Sequence, residues 1–334
     1  MACVPGQLDP AAPINMLGTT FLQVTTAFAL VFPGLSLATI LYLTDQLEHG
    51  ITTLELTGHN LVVKALTSGC GATPSWLTQD SASNRLFCLD ESKTNGTISS
   101  YTIEIDGSLS RLDTVSTLPG AAHGALFGQG NGLAVAHHHF AAASSALGEK
   151  NAAAADTCLF SYLNSISSSV ATYDVSKTDT HSTLELVQSE TYHLSEDAIH
   201  PVGELRQSLP DFAIADPSGK FLLVPDPGAD FVRIYLLNED GRLRFTDLPP
   251  LIIAGGPRYA DFLTTLDGTV YLYVTTANTN MVMGYKVLYT SSTTIEFKNV
   301  QASSISTNEH DVGGDIHISV NAKPPSCSVF CEAA

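Results

Sequence analysis

The sequence predicts an all-β chain of repeated four-stranded units, a β-propeller, and three observations carry that prediction. Apolar runs of strand length alternate with turn residues along most of the chain. The run–turn–run unit recurs roughly every 50 residues, the period of a propeller blade rather than of a helical solenoid. No long stretch shows helical periodicity.

The clearest unit is residues 210–235. Phe212 and Ile214 begin it, and Phe221-Leu222-Leu223-Val224 follow as a run too continuous to have a solvated face. Between them Asp216-Pro217-Ser218-Gly219 has turn chemistry, with Pro presetting φ and Gly tolerating positive φ. Pro225-Asp226-Pro227-Gly228 turns the chain again into Phe231–Tyr235. Further copies open at Ser75-Trp76-Leu77, at Gly124-Ala125-Leu126-Phe127 and at Arg258-Tyr259-Ala260-Asp261-Phe262. Each has its own turn and a buried second run, and an amphipathic second half comes after.

In chain order, residues 1–38 stand apart. No charged side chain occurs between Ala11 and Thr44, and Ser36-Leu37-Ala38 suits a small-x-small cleavage site. They read as a leader or a disordered N-terminus. The protein is then secreted if they act as a leader, and cytoplasmic otherwise. Blade residues occupy 39–322. The first blade has Ile40–Leu43 as its inner strand, the second runs from Pro74 to about Leu118, and the third opens at His123. An Ala/Ser-rich loop insertion interrupts the third at about 140–169, and a polar connection from Thr191 to Leu209 carries His193, Glu196, Asp197, His200, Glu204 and Arg206. The fifth blade starts at Pro257, a sixth begins at Val312, and 323–334 reads as a non-repeat tail. That makes five blades and a stub, as in a truncated copy.

Composition limits the partners. Of 334 residues 44% are hydrophobic and 14% charged, ample for one large β domain. The net charge of −18 argues against nucleic acid and against an anionic membrane for the mature form. An anionic small molecule remains compatible where one of the fifteen Lys and Arg supplies a local cation. The six cysteines have no zinc spacing and read as buried or unpaired thiols, with a Cys70–Cys88 disulfide open only on export. Asn95-Gly96-Thr97 is an N-glycosylation sequon in a predicted turn. His137-His138-His139 reads as a strand end, because only His137 and His139 share a face and two ligands do not close a zinc site. No metal and no cofactor is implied; phosphate-loop, dinucleotide and nucleophile-elbow motifs are missing.

Several stretches together resemble the seven-bladed lactonase propellers, the family of 6-phosphogluconolactonase and fungal carboxy-cis,cis-muconate cyclase. They are Pro74-Ser75-Trp76-Leu77, Leu86–Glu91, Gly132–His137, Asp216–Lys220, Leu223–Asp230 and Gly256-Pro257-Arg258, in family order over about 39–320. The resemblance implies seven blades and a site at one mouth of the central channel, acting on a small anionic lactone or dicarboxylate. On the family pattern Arg258 stands at the expected arginine. Asp211 and Tyr259 replace histidines, Ala277 replaces a glutamate, His123 matches a histidine one blade earlier, and Asp315 stands where glutamate is usual. A guanidinium can hold a carboxylate or phosphate by two hydrogen bonds, and a carboxylate or imidazole can move the proton when a lactone opens or closes.

The expected catalytic set is therefore Arg258, Asp211 and His123, with Tyr259, Asp90, Glu91 and Asp315 against the substrate. The competing structural reading pairs Arg258 with Asp211 or Asp261, gives Asp90-Glu91 a turn-capping role and puts Trp76 in the core. Three functional readings follow: a lactone hydrolase or cycloisomerase, an inactive propeller serving as a binding scaffold, and a non-functional truncated copy.

Overall fold

The computed structural model describes residues 25–26, 38–138, 167–176, 184–193, 208–238, 242–245, 248–305, 311–319 and 326–333. Within them five sheets of four or five strands and one two-stranded pair form, with strands consecutive in the chain lying side by side. The first sheet is β1 (Thr25–Thr26), β2 (Ala38–Asp45), β3 (Gly50–Thr57) and β4 (Asn60–Ser68). The second is β5 (Pro74–Asp80), β6 (Arg85–Asp90), β7 (Gly96–Ile103) and β8 (Leu109–Thr117). The third is β9 (Ala121–Phe127), β10 (Gly132–His137), β11 (Ser167–Asp174) and β12 (Glu185–His193). The fourth is β13 (Ile214–Ala215), β14 (Phe221–Asp226), β15 (Phe231–Leu237) and β16 (Leu243–Phe245), with β17 (Leu251–Ile252) also on β15. The fifth is β18 (Pro257–Thr264), β19 (Val270–Thr276), β20 (Met281–Ser291) and β21 (Thr294–Ser304). Last come β22 (Asp311–Ser319) and β23 (Ser326–Ala333), paired antiparallel.

Three details differ from the sequence expectation. Thr25–Thr26, inside the segment read as a leader, pairs with Leu41–Tyr42 and makes β2 the second strand rather than the inner one. Residues 326–333, read as a tail, supply β23. Cys70 and Cys88, read first as thiols, are joined as a disulfide. The rest of the leader, most of the loop insertion and residues 194–207 of the polar connection lie outside the described residues.

Why the second run of each unit reads as continuously apolar is now plain. Every residue of β6, β10 and β14 is buried, so both faces of these strands pack against protein. The fourth strands β4 and β8 are instead exposed or half-buried along their whole length.

Over the described residues the chain divides into two compact units, one of 25–26, 38–138, 171–176 and 184–189, the other of 167–170, 190–193 and the described residues from 208 onward. The division passes through β11 and β12. In the first unit, Tyr42 and Ile51 pack on Leu77, Leu86, Tyr101 and the Cys70–Cys88 pair. Phe87, Leu89 and Ile98 pack on Leu133, Val135, Ala171 and Tyr173. Full burial of side chains of this size is worth about 1.5–3 kcal/mol each, which makes these layers the main source of the unit's stability. In the second unit Leu263, Tyr273 and Val282 pack against Ile316 of β22.

Buried carboxylates organise the turns. At the end of β5, Asp80 accepts the N–H groups of Ala82 and Ser83. Just after β13, Asp216 accepts those of Ser218, Lys220 and Phe221, together with the Tyr289 hydroxyl. Among the described residues no helix is long and apolar enough to cross a membrane.

Candidate functional site

The repeat puts equivalent residues at equivalent places, which sorts the candidates. In four of the sheets a Pro-x-aromatic step or its variant stands at or just before the first strand: Pro74-Ser75-Trp76, Ala121-Ala122-His123, Pro210-Asp211-Phe212 and Pro257-Arg258-Tyr259. In the first unit the Trp76 and His123 rings meet at a centroid distance of 3.7 Å. In the second unit Phe212 and Tyr259 meet edge to face at 5.4 Å. The same repeat positions make a ring contact in both units, tilted in the first and edge to face in the second, and it gives the buried His123 a packing role. The Ser75 hydroxyl, from the next position back, donates to the Ala121 carbonyl.

In the second unit that position is charged. Arg258 Nε donates to Asp211 Oδ2 at 2.6 Å, with the two side chains 20% and 14% exposed. Of the two partners expected for the arginine, Asp211 is the one this bond uses. The guanidinium also lies over the Tyr259 ring, 4.9 Å from its centroid. The turn before it is anchored by Asp230, whose Oδ1 accepts the N–H groups of Gly255 and Gly256. The Ala277 N–H donates to the Gly256 carbonyl, so the position without its expected glutamate adjoins the arginine's turn.

A second set lies at the ends of β6 and β10 in the first unit. Glu91 and His138 each follow the last residue of the second strand of their sheets, and His138 Nε2 lies 2.7 Å from Glu91 Oε1. Backbone bonds fix the approach: Glu91 N–H to Thr73, Gly120 N–H to Ser92, His138 N–H to Gly120. Gly120 has φ +70° and a Cβ there would stand 1.7 Å from the His138 carbonyl oxygen, so only glycine permits the crossing. Sequence reasoning named Glu91 alone. The missed signal was the repeat, since Glu91, His138 and Ala277 occupy one repeat position.

Asp90 ends β6 as Asp45 ends β2 and Asp226 ends β14, and all three do the same thing. Asp45 accepts the N–H groups of Leu47 and Glu48. Asp90 accepts those of Thr73 and Ser92, and Asp226 those of Leu209 and Ala229. This is the turn-capping geometry for Asp90, whose carboxylate is buried. Asp226 is further held by the Arg233 guanidinium at 2.7 Å. Asp315 lies on β22 and its side chain is outside the described residues.

His137 is buried, and burial takes its imidazole down to about 4 against the pull of the Pro119 and Leu118 carbonyls. His139 lies outside the described residues. Among the described residues no three His, Cys, Asp or Glu side chains gather as metal ligands.

The repeated sheets define a propeller, and comparison with known proteins names its kind. The model of the lactonase, seven-bladed β-propeller family matches residues 39–323, and the chain belongs to that family. An Arthroderma benhamiae protein named "Probable 6-phosphogluconolactonase" is 25% identical over 255 residues, 75% of this chain and 56% of that protein. The chain thus spans little more than half the length of this curated relative. A periplasmic gluconolactonase of Pseudomonas aeruginosa superposes with a TM-score of 0.62 at 22% identity, over 86% of this chain and 73% of that one. A protein from Lactobacillus plantarum gives 0.58 at 15%, over 86% and 78%. At these identities the two structures speak for the fold.

Proposed function

We propose that this chain hydrolyses a small anionic lactone of the 6-phosphogluconolactone type. The observation that carries the reading is the partly exposed Arg258, held by Asp211 and backed by Tyr259 at the start of an inner strand. A guanidinium is a planar fork of N–H donors that matches a phosphate or carboxylate, and Asp211 on Nε orients it. Family membership and the curated relative's name support the lactone class.

In the reaction, the oxygen of water adds to the ring carbonyl carbon. The carbonyl carbon–ring oxygen bond breaks, one proton ends on the ring oxygen as a hydroxyl, and the acid loses the other. Asp211 orients the arginine and accepts the water's proton. A carboxylate tied to a guanidinium is a weak base, so this role needs the substrate anion to draw Arg258 toward itself. His123 packs on Trp76 and takes no step.

The test is acid release from 6-phosphogluconolactone by purified chain in a pH-stat, with spontaneous opening subtracted. Acceleration that Arg258→Ala abolishes supports the reading. A folded chain giving no acceleration sinks it. One observation favours a second reading, a binding propeller without turnover: alanine at 277 has no proton to give. Calorimetric binding of 6-phosphogluconate without acceleration would select it.

A further inference from the structure

We infer that Asn95 is an N-linked glycosylation site and that the first unit folds in an oxidising lumen, where Cys70 and Cys88 are joined. Two independent observations in one sheet point there. Asn95 ends the β6–β7 loop with an exposed side chain, as are those of Lys93 and Thr94 before it, and Gly96-Thr97 completes the acceptor sequence. Cys70 and Cys88, 18 residues apart, are both fully buried and bonded in the core with Leu77, Leu86 and Tyr101. A disulfide with this placement persists where thiols are oxidised and is rare where they are kept reduced.

The fold also fixes when the modification happens. Thr97 is already in β7, paired with Ser116, and its hydroxyl oxygen is buried. The transferase must read that hydroxyl, so it acts on the chain before β7 docks. The Asn95 amide nitrogen forms a bond to the anomeric carbon of a lipid-pyrophosphate-linked oligosaccharide. The lipid pyrophosphate leaves, and the amide gives up one proton. Cys70 and Cys88 lose two protons and two electrons to an oxidoreductase disulfide, which becomes a dithiol.

The experiment uses the full chain, with nothing appended, produced in a eukaryotic host. Glycosidase release in heavy-oxygen water, followed by peptide mass spectrometry, should turn position 95 into labelled aspartate. Alkylation before reduction should leave Cys70 and Cys88 peptides cross-linked. Asn95→Gln should abolish the label, Thr97→Ser should keep it, and folded unglycosylated chain should be refused by the transferase that modifies the denatured chain. Unlabelled Asn95, or alkylated Cys70 and Cys88 without reduction, overturns the inference.

Discussion

Two inner-strand junctions, one in each unit, use the same pair of repeat positions for different ends. Trp76 meets His123 in the first unit as Phe212 meets Tyr259 in the second. Beside the first pair stand Ser75 and Ala122; beside the second stand Asp211 and Arg258. The rings supply packing at both places, and only the second adds opposite charges where solvent reaches them. The lesson is that the repeat builds the seat and a single position decides whether chemistry is available there. The buried Arg85–Asp80 pair shows the other use of the same two residue types. It is 3% and 7% exposed, and Arg85 also donates to the Gly130 and Val175 carbonyls and to the Ser83 hydroxyl. That arginine ties loops together and is closed to any ligand.

The largest expected effect tests this contrast. Arg85→Ala leaves Asp80 buried without its guanidinium and should lower unfolding stability by about 3–5 kcal/mol in urea titration. Burial pushes the Asp80 carboxyl up, but the Ser83 hydroxyl and Arg85 bring it below its ordinary range overall, and the Arg85 share of that pull is what the variant removes. A loss no greater than that of Arg258→Ala would erase the distinction between a closed and an open pair.

Next in size is a pH effect confined to the first unit. His137 titrates near 4 when folded and near 6.5 when unfolded, so between these values only the unfolded chain takes the proton. Its contribution is complete above pH 6.5 and falls away as pH drops to 4, by about 3 kcal/mol in all. Urea midpoints measured across that window should fall in the parent and flatten in His137→Gln. Equal slopes in both would remove His137 from the account.

Third, Arg258→Ala should lower kcat/KM for an anionic lactone about 100-fold, roughly 2.7 kcal/mol, with a smaller loss for a neutral lactone of the same ring. Arg258→Lys should restore part of it, because an ammonium keeps the charge and loses the fork. Equal losses on both lactones would mean that the arginine only supports the fold. The smallest effect is His123→Phe. If His123 serves packing alone, stability should change by less than about 1 kcal/mol and activity should hold. An intact chain without activity would make the first junction a chemical site after all.

Much of the fold was legible because turn chemistry and strand burial are local. Asp216-Pro217-Ser218-Gly219 announces its turn, and the unbroken run Phe221–Val224 announces a strand buried on both faces. Arg258 with Asp211 was also legible, through the repeat and the family pattern. The Glu91–His138 pair was not: its separation of 47 residues equals that of Arg258 and Asp211, but His138 was weighed only with its histidine neighbours and never at its repeat position.

By itself, then, the sequence determined most of the strands and turns of the five sheets and the family they belong to, while β1 and β23 lay in segments read as leader and tail. Those properties depend on neighbours a few residues away and on a regular repeat. Only the tertiary structure decided which side chains meet: Cys70 with Cys88, Glu91 with His138, Trp76 with His123 and Arg85 with Asp80. Asp80 and Arg85 are cross-strand partners set by the β5–β6 register, while Glu91–His138 and Trp76–His123 join separate sheets; a one-residue shift in register turns a strand's side chains to the opposite face.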